Sequence, residues 1–369
     1  MKSIGLTAWL LCTLTTLWAQ SPYIYKVYEY CPAPGQFVNE NPLYEPGNTA
    51  NDMRLKAEEL LADDARSLVS LGGFGGYIVF GFDHMVENRP SQYDFQVLGN
   101  AFYAEGGGQG TGGREGGSAE PGIVMVSYDA NGNGKPDDAW YELAGSDYGS
   151  ATTVHHYTIS YERPDENKAR TPHPTDPNLN DIRYLHWTDN QGQDGYMVRT
   201  IAHDQPYYPQ WTDAEQLTFT GTKLADNSID ESGNGTYYVL YCYAWGYADN
   251  HPNKDERSKF NIGWAVDEDG RPVNLPGAHF FKVYTALNQQ CGWLGETSTE
   301  VMGAYDLHIY GGDSEDPHAH EAAVRWAESD GNHEAVYTLD GMKVDAPTKA
   351  GLYIVKQGGK RLKIIKGRR

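Results

Sequence analysis

The sequence predicts an all-β protein, a β-sandwich with long loops, and three observations lead there. Ten short runs rich in Val, Ile, Tyr and Phe follow one another between Leu68 and Ile309, separated by clusters of Gly, Asn, Asp and Pro. One stretch alone, 51–64, has sustained helical periodicity. The 369 residues include 42 Gly and 27 Tyr, a composition suited to turns and half-buried pleated surfaces rather than to helices.

In chain order, residues 1–19 join Lys2, an apolar stretch from Ile4 to Trp18 and the small Ala19, the pattern of a secretory signal. Cys12 lies inside that stretch with no small residue before it, so no lipid anchor is expected. Cleavage would leave Cys31, Cys242 and Cys291, enough for one internal disulfide or for three buried small residues. An aromatic segment, 23–30, and a Pro/Gly/Asn loop follow. The helix at 51–64 places Met53, Ala57, Leu60 and Leu61 on one face, with Asn51 or Asp52 as its cap. The ten runs are 77–82, 94–98, 123–128, 156–161, 196–201, 215–220, 237–243, 260–266, 280–285 and 305–309. The polar stretches 162–195 and 203–214 read as surface loops, where binding sites commonly sit. The β-domain thus covers 20–310, a Gly/Asp/Glu/His-rich linker 311–334, and a small β tail 335–369. The last nineteen residues hold seven Lys or Arg and no acid.

Net charge is -21, which repels phosphate backbones and anionic lipid and disfavours nucleic-acid or membrane-surface partners. Mean hydropathy is -0.62, and past the N-terminus no apolar run is long enough to span a bilayer.

The clearest chemistry lies at 129–138. Asp129, Asn131 and Asn133 offer oxygens at every second position, Gly134 permits the tight turn, and Asp137 and Asp138 follow Lys135 at the seventh place. A hard cation, Ca²⁺, is the natural occupant, with a structural role. Trp140 stands at the twelfth place and both flanks read as strands, so this is an EF-like loop in a β-protein; an Asn/Gly/Asp turn that needs no ion is the other reading. Residues 226–235, 249–255 and 267–270 are acidic without clean alternation and read first as loops. His318 and His320 share a close spacing in the linker. No nucleophile elbow or phosphate loop is present.

Each buried phenol needs a hydrogen-bond partner, so 27 Tyr imply that some are exposed. Trp187, Tyr207, Tyr208, Trp211, Trp245 and Tyr247 lie on or beside loops and form a candidate stacking platform for a sugar or a planar macrocycle; packing of the loops onto the sandwich is the alternative. Glu120, Glu142 and Glu296 are the carboxylates that a glycoside hydrolase would draw on.

The runs Ser70-Leu-Gly-Gly-Phe-Gly-Gly-Tyr-Ile-Val-Phe-Gly-Phe-Asp83, 93–102, 120–127, 140–146, 261–267, 280–285 and 292–300 resemble a family of Bacteroidota cell-surface proteins often named PKD-domain proteins. The resemblance spans about residues 50–310. It implies a jelly-roll-like sandwich at the cell envelope. Because relatives occur with outer-membrane corrinoid-uptake components, it adds a corrinoid to the glycan as ligand and uptake machinery as partner. The tail, with Val336-Tyr-Thr-Leu-Asp-Gly-Met-Lys-Val and then 351–355 and 360–366, is similar to the C-terminal sorting domains of type IX secretion cargo. The expected function is a secreted or cell-surface, calcium-stabilised ligand-binding protein. A carbohydrate-active hydrolase and an adhesion or matrix protein are the alternatives.

Overall fold

The computed structural model describes residues 20–104 and 113–310, together with the backbone of four strands between 335 and 366. The expected signal at 1–19, the Gly-rich residues 105–112 and the expected linker at 311–334 lie outside the described residues.

The chain is mostly β, but it is not a jelly-roll sandwich. Its strands form four principal antiparallel sheets in a four-bladed, propeller-like arrangement. The largest sheet orders Lys26–Cys31, Tyr77–Glu87, Gly277–Thr285, Gly122–Ser127, Trp140–Leu143 and Ala265–Val266 side by side. A second joins Asp194–Thr200, Leu179–Asp189, Val154–Glu162 and Gln216–Lys223. The third is Ser228–Asp230, Tyr238–Tyr241, Gly116–Ser118 and Phe102–Tyr103, and the fourth is Lys259–Phe260, Phe95–Leu98 and Gly303–Asp306. Many strands have only two to four residues because Gly, Pro and Asx residues interrupt the apolar runs, and short strands build several small sheets rather than two broad ones.

The core is divided accordingly. One cluster gathers Val27, Met53, Ala57, Phe80, Phe95, Val124, Phe281 and Val283 beneath the large sheet. A second holds Phe74, Tyr157, Tyr161, Tyr207, Tyr208 and Phe219 against the second sheet. A third, around Ile123, Tyr247, Tyr284 and Leu287, fills the space behind the large sheet.

The helix spans Ala50–Leu61 and buries Met53, Ala57 and Leu61. Its cap is Thr49 rather than Asn51 or Asp52: Thr49 Oγ1 accepts from the Asp52 N–H at 3.3 Å, and the Asp52 carboxylate accepts from the Thr49 N–H at 2.8 Å. The expected loop 162–195 contains an eleven-residue strand, Leu179–Asp189. Its ladder to Asp194–Thr200 shifts register twice, which breaks the apolar–polar alternation and hides the strand in the sequence. The expected strand 260–266 is two pieces in different sheets, split by a 3-10 turn, Ile262–Trp264, that Asn261 caps. The tail strands Ala335–Thr338, Lys343–Val344, Gly351–Gln357 and Lys360–Lys366 form one four-stranded antiparallel sheet. No helix among the described residues is long and apolar enough to cross a membrane.

Candidate functional site

The 129–138 loop connects Gly122–Ser127 to Trp140–Leu143 and is largely exposed. Asp129 accepts from the Asn133 N–H at 3.1 Å and the Gly134 N–H at 2.8 Å, one with each carboxylate oxygen. Asn131 Oδ1 accepts from the Asn133 N–H at 3.0 Å, and Asn133 Oδ1 from the Lys135 N–H at 2.8 Å. Gly132 and Gly134 both take φ +70°, which lets the chain coil around these oxygens. The side-chain amides of Asn131 and Asn133 donate to the Asp137 carboxylate at 3.0 Å and hold its pKa below the usual range. Asp138 accepts from the Ala130 N–H at 3.2 Å. The loop therefore folds its acidic and amide groups inward across a short span, and the seventh residue, Lys135, has only its backbone carbonyl to offer a cation.

The six aromatic residues singled out in the sequence are not brought together. Tyr207, Tyr208 and Tyr247 are core residues at 1% exposure or less, and so cannot form an exposed platform. Their phenols are satisfied inside: the Tyr207 hydroxyl donates to the His203 carbonyl at 2.9 Å and that of Tyr208 to the Ala214 carbonyl at 3.0 Å. The Tyr247 hydroxyl accepts from the Asp147 N–H at 3.0 Å. Trp211 is partly buried and stacks on Tyr30, with Tyr44 alongside. Trp187 packs against the second core cluster. Trp245 alone stays at the surface, at 37% exposure.

Trp245 has neighbours that the sequence did not reveal. Its ring lies 4.7 Å from that of Trp264 at 53°, and Trp264 meets Tyr93 edge-on at 6.1 Å and 85°. Tyr93 is also 37% exposed, while Trp264 is half-buried and anchored by Phe260 beneath it. The three rings come from three loops: one before Phe95–Leu98, the 3-10 turn Ile262–Trp264, and the segment after Tyr238–Tyr241. Trp245 is held in place by Ser146, whose N–H donates to the Trp245 carbonyl at 3.1 Å. Trp264 falls in the run 260–266 that reads as a strand, and Tyr93 directly precedes the run 94–98, so neither stands out as a loop aromatic in the sequence.

A second cluster lies inside the protein. Glu120, Asp249 and Glu300 are all buried, and each places a carboxylate oxygen within 4.8 Å of the others. Asp249 takes a left-handed φ of +52°. One of its oxygens accepts from the N–H groups of Asn100 at 2.7 Å and Ala101 at 2.8 Å, and the other from that of Glu300 at 3.0 Å. Burial and the neighbouring Glu300 and Glu120 push the Asp249 pKa well above the carboxylate range. Three acids this close and this dry cannot all stay ionised without a counter-charge, so the arrangement suits shared protons or a bound cation.

The three nominated hydrolase acids occupy different settings. Glu120 belongs to the buried cluster. Glu296 is buried and accepts from the Gln36 N–H at 2.8 Å. Glu142 lies behind the large sheet, where burial pushes its pKa up to about 7.

No protein-family model matches the chain, and no curated protein matches it either.

Proposed function

We propose that the chain is a secreted or cell-surface ligand-binding protein, stabilised by Ca²⁺ at residues 129–138, that takes a neutral glycan on Tyr93, Trp264 and Trp245. The exposed ring cluster is the observation that carries this reading. Indole and phenol rings presented on loops offer apolar faces to sugar C–H groups, and Trp and Tyr are the side chains that most often dominate a binding surface. The rings meet at 53° and 85° rather than lying flat, a shape that suits a turning chain of sugar rings better than one planar macrocycle. The charge of -21 favours a neutral ligand.

Trp140–Leu143 links the two features. The 129–138 loop precedes it, and Ala144, immediately after it, donates its N–H to the Trp264 carbonyl at 3.0 Å. A cation that stiffens the loop would thus steady one end of a strand whose other end supports the rings.

Calorimetric titration of the mature protein against neutral oligosaccharides, with cobalamin in parallel, tests the proposal. The expected result is a glycan that binds the wild type and binds W245A at least about tenfold more weakly, a loss of about 1.4 kcal/mol. Folded protein that binds no glycan, binds cobalamin alone, or binds equally well as W245A would overturn it.

A further inference from the structure

Behind the large sheet, four residues are linked by a chain of hydrogen bonds that cannot be filled without one additional proton. The Thr222 hydroxyl lies 2.6 Å from Glu142 Oε2 and 3.2 Å from His155 Nδ1, while His155 Nε2 lies 3.0 Å from the Tyr148 carbonyl. A carbonyl only accepts, so Nε2 must carry a hydrogen. That leaves two contacts, Glu142 to Thr222 and Thr222 to His155, and one hydroxyl hydrogen to serve both. The missing hydrogen belongs either to a neutral Glu142 carboxyl, with Thr222 donating to His155, or to a His155 imidazolium, with Thr222 donating to Glu142. The two forms contain the same number of protons and interconvert through the hydroxyl.

We propose that Glu142, Thr222 and His155 share a single proton, and that its loss with rising pH detaches His155 from Tyr148 in the 146–153 segment, which connects the first sheet to the second. Without it, the Glu142 carboxylate keeps the Thr222 hydroxyl, and His155 Nδ1 faces an oxygen lone pair with no hydrogen between them. His155 is exposed, so its ring can turn to water. The move gives up the bond to the Tyr148 carbonyl and the 4.5 Å ring contact with Tyr148.

The groups facing Glu142 leave the proton little alternative. Tyr284, two strands away in the same sheet, Tyr148 on the connecting segment and Tyr247 in the third core cluster each have the phenol pKa raised, first by burial and further by the Glu142 charge. Asp147 and Asp267 add negative charge beside Tyr247 and Tyr148. Burial pushes Glu142 toward its neutral form, and the Thr222 hydroxyl opposes this. Thr222 is itself positioned by its N–H, which donates to the Tyr284 hydroxyl at 2.8 Å.

The test is the pH titration of His155 by long-range 15N–1H NMR of the full mature chain, with the signal assigned by its loss in H155Q. In E142Q the amide donates permanently to Thr222, which fixes the Thr222 hydroxyl on Nδ1 and favours neutral His155. The His155 midpoint should therefore fall by about one pH unit, a tenfold change in proton affinity. T222V cuts the chain between the two groups, so in that background the His155 curve should be the same whether residue 142 is Glu or Gln. A His155 titration curve that is the same in wild type, E142Q and T222V would overturn the proposal, and T222V decides it if E142Q does not fold.

Discussion

The backbone N–H of Glu300 donates to the carboxylate of Asp249 across 3.0 Å. The residue that crowds Asp249 with a second acid thus also supplies one of the three N–H groups holding it. Removing the carboxylate strands those three donors in a buried place, at about 1–3 kcal/mol each. D249A should lose at least about 3 kcal/mol of stability in urea unfolding. D249N keeps an acceptor, tolerates the left-handed backbone and relieves the like-charge contact, so it should lose clearly less.

Asp129, Asp137 and Asp138 provide the negative charge in the 129–138 loop. Added Ca²⁺ should raise the melting temperature of the EDTA-stripped wild type by a few degrees, through binding to the native state alone. Neither D129A nor D137A should respond. Differential scanning fluorimetry across a Ca²⁺ series measures both.

Two glycines with the same sign of φ should respond very differently to alanine. At Gly72, φ +71°, an added Cβ would lie 2.0 Å from the Ala33 carbonyl oxygen, so G72A adds a backbone collision to the conformational strain. At Gly134, φ +70°, nothing lies within 4 Å. G72A should cost about 3 kcal/mol or more, while G134A should cost about 1–2 kcal/mol, the price of the left-handed conformation. Paired denaturation curves at one pH decide this.

Glu142 makes stability depend on pH in a definite direction. Its carboxyl titrates near 4.5 in an ordinary setting and at about 7 in the folded chain, so the native state holds the proton more tightly than the unfolded one. Its contribution is fully present below pH 4.5 and is lost as pH rises through about 7, a change of about 3 kcal/mol in all. E142Q should flatten this part of the profile. Urea unfolding free energies from pH 4.5 to 8 for the two proteins show whether it does.

What could be read from the sequence was local. The Met53, Ala57 and Leu61 spacing marks a helix because burial of one face leaves a period, and the nearly continuous apolar runs at Gly122–Ser127 and Gly277–Thr285 mark strands covered on both faces. Which strands become neighbours is not a local property, and the sandwich expectation failed there. Leu179–Asp189 escaped because its register shifts bring Tyr184 and Leu185 inward in succession, with Asp181 also buried. Tyr207 and Tyr208 looked like loop aromatics because sequence does not show that the His203 and Ala214 carbonyls would satisfy their phenols. Glu120, Asp249 and Glu300 meet only in three dimensions, although Glu120 and the acidic stretch beginning at Asp249 each stood out separately.

The position of Gly277–Thr285 in the large sheet, paired with Tyr77–Glu87 on one side and Gly122–Ser127 on the other, governs the order in which the protein can assemble. Until that late segment arrives, Tyr77–Glu87 has only Lys26–Cys31 beside it and Gly122–Ser127 only Trp140–Leu143, so each keeps one open edge. Such distant pairing slows folding and leaves sticky edges exposed in the interval. Chains cut short before Gly277 should therefore associate with one another instead of forming a smaller native body.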